Sequence, residues 1–188
     1  MSRLSFLRKE STGLWVIDVQ EQLFDKVDRS SEILEKICFV VEAASVLDLP
    51  IIVTEQYPKG LGKTVKPIRK RLSKKQPIYS KTTFSGLGDP MIRQEAEGLL
   101  VDTWILVGIE AHICVLQTAK DLLAAGKQIV VLNDAISARS VCDVSMAVGE
   151  LRDIGGRISS SETVIYELIQ DASSTDFQKI LPLIKAYG

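Results

Sequence analysis

The chain has one histidine, three cysteines and almost no net charge, and each scarcity excludes something. A lone His112 rules out a zinc site built on several imidazoles. Cys38, Cys114 and Cys142 are odd in number, far apart and without a C-x-x-C pair. That argues against a disulfide framework and for a reducing, cytoplasmic setting. The 23 basic and 24 acidic residues leave a formal charge of −1, which gives no electrostatic case for nucleic acid or an anionic membrane as partner. The one basic run, IRKRLSKK at 68–75, reads as a solvated surface segment. No apolar stretch reaches the roughly 18 residues that a membrane span needs. The opening residues MSRLSFLRKESTG are too charged for a secretory signal.

What is present reads as one domain over 1–188, with 46% hydrophobic and 25% charged residues as in ordinary globular proteins. Apolar runs suited to buried strands lie at 14–18 (LWVID), 50–54 (PIIVT), 77–80 (PIYS), 103–109 (TWILVGI), 128–133 (QIVVLN) and 156–160 (GRISS). Helical patterns fill the intervals. Over 31–47, Ile33, Ile37, Val40, Val41, Ala44 and Leu47 share a face. Asp89-Pro90 is a helix start, an N-cap acceptor followed by proline at the first helical position. The segment 113–124 carries a buried stripe and stops at Gly126. Further helices are expected over 140–153, over 161–169 with Ser159 and Glu162 as a capping box, and from Asp176 to Lys185 with Pro182 disturbing the end. Continuous rather than alternating apolar strands indicate a sheet covered on both faces. The expected fold is a three-layer α/β/α sandwich around a mainly parallel six-stranded sheet, Rossmann-like, with ligands outside the carboxyl ends of the strands.

Three chemically suggestive residues fall at such ends: Asp18 after the first strand, Lys81 after the third and Cys114 after the fourth. A free thiol titrates at about 8.5, so little of it is nucleophilic at neutral pH. A helix start and a nearby ammonium both favour the thiolate, so Lys81 is expected to depress the Cys114 pKa, with Asp18 as proton acceptor. On residue physics alone the plainer readings stay open: Cys114 as a small buried hydrophobe, Asp18 as a turn cap, Lys81 as a surface residue. Cys38 and Cys142 read as structural and Trp15 as core. His112, two residues from the thiol, reads as a base, a pocket wall or a backbone ligand.

The motifs VIDVQEQLF (16–24, with Asp18-x-Gln20), SKTTFSG (80–86) and GIEAHICVLQTA (108–119) occur in order at matching strand ends. Together they resemble the isochorismatase-like cysteine hydrolases, the superfamily of nicotinamidases and N-carbamoylsarcosine amidase, over nearly the whole chain. The resemblance implies an Asp18-Lys81-Cys114 triad and a thioester intermediate. It also implies a non-proline cis peptide at Ile109–Glu110, an oxyanion hole from the Glu110 and Cys114 amides, and a homo-oligomer. TEQYPKGLGKT at 54–64 has no histidine where nicotinamidases carry their metal motif, so no metal and no cofactor are expected. Isochorismate-cleaving members lack the cysteine that this chain has, so vinyl-ether cleavage is not expected either. Gln20, Gln56, Tyr57, Phe84 and His112 are candidates to line a small-molecule pocket. The expected function is a metal-independent cysteine hydrolase of a small amide-like C–N bond. The competing expectations are a binding or scaffold protein that keeps the fold without turnover, and a redox sensor, which lacks a resolving cysteine.

Overall fold

The computed structural model describes residues 6–187. Strand β1 (Thr12–Ile17) leads through a short turn α1 (Glu21–Phe24) into α2 (Ser30–Val46) and β2 (Ile51–Gln56). Two short turns, α3 (Pro58–Leu61) and α4 (Lys66–Arg69), precede β3 (Tyr79–Lys81) and α5 (Pro90–Gly98). Then follow β4 (Thr103–Ile109), α6 (Leu116–Ala124), β5 (Gln128–Ser137), α7 (Val141–Asp153), β6 (Arg157–Ser159), α8 (Ser161–Ile169) and α9 (Thr175–Tyr187). Among the described residues no helix is long and apolar enough to cross a membrane.

The six strands form one sheet in the order β3-β2-β1-β4-β5-β6, and every pairing is parallel. Strand order reverses beside β1, which places the ligand crevice of such a sheet at the carboxyl ends of β1 and β4. All six residues of β1 and all seven of β4 are buried, as strands covered on both faces must be. Val16, Val53 and Val107 pack on one face against Ile33, Ile37 and Ile165 of the helices that cover it. Trp15, Ile52 and Leu106 pack on the other with Ile92, Leu122 and Leu151. Trp15 meets Trp104 edge to face, with ring centroids 5.3 Å apart.

Local rules account for most boundaries. The Asp89 carboxylate accepts from the Met91 and Ile92 amides, and Pro90 takes the first helical position. The exceptions have identifiable causes. Ser159 does not cap α8, because it pairs with Leu132 in the sheet; Ser160 is the cap, accepting from the Thr163 amide. The helix expected from 113 starts at Leu116, since the preceding residues are wound into a wider turn. β5 runs on to Ser137, past a register shift against Leu106 and Gly108. α9 continues through Pro182 and ends at Tyr187, whose hydroxyl donates to Glu42 (2.9 Å) and accepts from Arg71 (2.9 Å). Cys38 is buried, but Cys142 is exposed on α7 and carries no packing role.

Gly108 lies where β4 passes closest to β1. Its φ is +131° and an added Cβ would overlap the Ile17 carbonyl, so the position admits no side chain without moving a central strand. Gly108→Ala is expected to destabilise the fold by about 3 kcal/mol or more. Equilibrium urea unfolding checks this, and a loss below about 1 kcal/mol would show that the two strands can part.

Candidate active site

Asp18 leaves β1 with φ at 53° and is fully buried. Its Oδ1 accepts from the Thr54 hydroxyl at 2.8 Å and its Oδ2 from Lys81 Nζ at 2.6 Å. Lys81 stands on the edge strand β3, in register with Gln56. Neither side chain of the pair is exposed to solvent. The ammonium also reaches Gln56 Oε1 (2.7 Å) and the carbonyls of Thr83 (3.2 Å) and Phe84 (3.1 Å). Three N–H protons thus meet four acceptors, which fixes the ammonium and leaves no proton to spare for a ligand.

Cys114 is 6% exposed, and its thiol lies beside the Asp18 carboxylate. It sits in a single wide turn, Ala111–Val115, ahead of α6. The Glu110 carbonyl accepts from the amides on either side of it, Ile113 (3.1 Å) and Val115 (3.3 Å). The Ile109–Glu110 peptide is cis. The thiol pKa is pushed up to about 12: burial is the largest cause, the Asp18 charge adds to it, and Lys81 opposes with less effect. The expected depression of this pKa is therefore overturned. Lys81 is neutralised by the carboxylate it holds, so its field at the sulfur is outweighed by desolvation and by Asp18.

The remaining candidates divide. Gln20 is fully buried and does not line a pocket. Its Oε1 accepts from the Gln56 amide (2.7 Å), and its Nε2 donates to the Gln56 (3.0 Å) and Gly62 (2.7 Å) carbonyls. Gln56 in turn splits its side chain between Lys81 and the Thr82 carbonyl (2.9 Å). Tyr57 (54% exposed) and Phe84 (53% exposed) stand at the carboxyl edge as open aromatic faces, and neither belongs to the core. His112 faces carboxylates on the side of α7. Its Nδ1 lies 3.7 Å from Glu110 Oε2 and its Nε2 3.8 Å from Asp143 Oδ2, turned toward α7. The sequence reading missed Thr54, which faces Ile17 in the β1–β2 register, and Arg139, whose Nε donates to Glu110 Oε1 at 2.8 Å. Strand register would have revealed the first; no local pattern marks the second. Among the described residues no group of three or more His, Cys, Asp or Glu side chains is placed to hold a metal ion.

A wholly parallel, doubly covered sheet with its polar constellation at the carboxyl edge of the switch point defines a three-layer α/β/α protein with a ligand crevice at that edge. The chain belongs to the isochorismatase family: the isochorismatase domain model matches residues 12–163. Isochorismatase domain-containing protein 2A of Mus musculus is 37% identical over 177 residues, covering 94% of this chain and 84% of that protein. The MAR1 ribonuclease structure from Caenorhabditis elegans superposes with a TM-score of 0.91 at 36% identity, covering 96% of this chain and 93% of that one. YcaC of Escherichia coli, described as an octameric hydrolase of unknown specificity, shares the fold at a TM-score of 0.92 and 17% identity, over 100% of this chain and 95% of that one.

In the ligand-free protein Cys114 should alkylate more slowly than the exposed Cys142 at neutral pH, because its proton stays on sulfur until well above the usual thiol range. The raised value also removes folding stability as pH climbs from about 9, where an unfolded thiol ionises, toward about 12. Iodoacetamide labelling with peptide mapping measures the order of reactivity. Faster labelling of Cys114 than of Cys142 at pH 7 would show a resting thiolate.

Proposed function

We propose that this chain is a cysteine hydrolase that cleaves a small amide-like C–N bond through a thioester on Cys114, using its own side chains without a metal. The observation that carries the reading is the meeting of a buried thiol with a carboxylate whose other contacts are already fixed. In this mechanism Asp18 takes the thiol proton as the sulfur attacks the carbonyl carbon. The negative charge moves onto the carbonyl oxygen, facing the Glu110 and Cys114 amides. Collapse of that intermediate breaks the C–N bond, and Asp18 returns the proton to the departing nitrogen. Water then loses a proton to Asp18, attacks the thioester and releases the acid, leaving the thiol restored. Lys81 holds Asp18 in position through its 2.6 Å contact and need not touch the substrate. A small-molecule substrate and self-association are carried in the same reading.

The raised thiol pKa gives some support to a second reading, a binding protein that keeps the fold without turnover. The name of the worm relative points elsewhere, to phosphodiester cleavage. That chemistry needs a cation free to meet phosphate oxygens, and the ammonium at this site is fully engaged by protein oxygens.

A panel of small amides and esters, read by intact mass, separates the readings. The expected result is a covalent adduct on Cys114 that decays with product release. Cys114→Ala should lower kcat/KM by about a thousandfold or more, and Asp18→Asn should prevent the adduct from forming. A Cys114→Ala protein with unimpaired turnover would refute the mechanism, while a reactive thiol with no adduct across the panel would favour binding alone.

A further inference from the structure

The near-zero net charge conceals a strong segregation. Residues 56–88 hold nine of the 23 basic residues and none of the 24 acidic ones, so the rest of the chain sets 14 cations against 24 anions. The segment starts at the carboxyl end of β2, passes through α3 and α4, and returns through β3, the edge strand of the sheet. Carboxylates that reach it are engaged with other groups than its exposed lysines: Asp18 with Lys81, Glu21 with Arg69 (3.3 Å), Glu42 with Arg71 and Tyr187, Glu55 with the amide and hydroxyl of Thr64, and Glu95 with Tyr79. Lys59, Lys63, Lys66, Lys70, Lys74 and Lys75 are exposed, and among the described residues none of them has a carboxylate within 4.0 Å. Six unpaired ammonium groups along one edge repel one another and are not needed for folding, since α4 is held by Ile68 in the core and Arg71 is tied to Glu42.

Two aromatic rings open beside the upper end of this stripe. Tyr57 sets the edge of its ring against Gly60: a Cβ there would come within 2.5 Å of its Cε1, so the ring is held beside the loop while the residue stays 54% exposed. Phe84 follows β3, with its carbonyl anchored to Lys81 Nζ and the residue 53% exposed. Cations spaced along a path, with exposed aromatic rings at one end, are the two components of a single-strand nucleic acid surface: the cations follow phosphates and the rings stack bases without regard to sequence. We propose that the edge formed by residues 57–84 binds single-stranded nucleic acid, a property independent of the chemistry assigned to Cys114. It revises the expectation drawn from net charge, which averages over a surface that is not uniform. An anionic membrane would satisfy the lysines, but it gives no stacking role to the exposed Tyr57 and Phe84 rings.

Fluorescence anisotropy of the full chain with a labelled oligouridylate of about 12 nucleotides tests this. With about four phosphates neutralised, affinity should fall about 50-fold between about 50 and about 200 mM salt. The triple variant Lys66→Glu, Lys70→Glu, Lys74→Glu should bind at least about tenfold more weakly and with a shallower salt slope. Tyr57→Ala should cost about fivefold or more with little change in slope. Cys114→Ser should bind as the unaltered chain does, so the proposal can fail or stand apart from the hydrolase reading. It is overturned if the oligonucleotide does not bind at low salt, if the triple variant binds equally well, or if phosphatidylserine vesicles bind while the oligonucleotide does not.

Discussion

The structure depends on one buried ion pair. Asp18 and Lys81 have no exposed side-chain surface, come from strands separated by β2, and meet at 2.6 Å. Taking both charges out of water is costly, and losing either partner would strand the other at about 3–5 kcal/mol. The surrounding chain is arranged to supply what water no longer can. Thr54 serves the carboxylate, while Gln56 and two loop carbonyls serve the ammonium. Gln20 secures Gln56 from the turn that carries Asp18. Followed around, these contacts close a ring: Asp18 to Lys81, Lys81 to Gln56, Gln56 to Gln20, and two residues of backbone back to Asp18. The D-x-Q spacing thereby has a mechanical meaning, since one turn grips both the ammonium and the residue that orients it.

That ring divides the work at the thiol. Lys81 is spent on holding Asp18, and Asp18 in turn makes a resting thiolate unfavourable; in the proposed mechanism the proton leaves sulfur as the bond to carbon forms. In that mechanism nucleophile activation is a matter of timing rather than of a standing charge. A helix start and an ammonium beside Cys114 suggest the opposite from the sequence, because a residue list carries signs and neighbours but no desolvation. Burial is a property of the whole fold and is the largest contribution to the thiol's shift.

The same boundary separates what was legible from what was not. The β4 run was read residue for residue, and the Asp89-Pro90 start was found, because periodicity and capping are local. The three polar residues could be assigned to strand ends by counting, and the resemblance to a family supplied their grouping. Ser160 in place of Ser159, the added length of β5 and the late start of α6 were hidden, since each depends on a strand partner or a turn closed by non-local packing. Gln20 looked like a pocket residue because exposed and buried amides are written alike. His112, two positions before Cys114, was open as a base, a pocket wall or a backbone ligand, and the wide turn points it toward α7.

The wide turn beneath Cys114 has one more consequence. A sulfur that keeps its proton and shows 6% of its surface is a poor target for peroxide, because oxidants take the thiolate. Cys142, exposed on α7, meets such reagents first. A protein built this way keeps its buried sulfur intact while a more exposed one is spent.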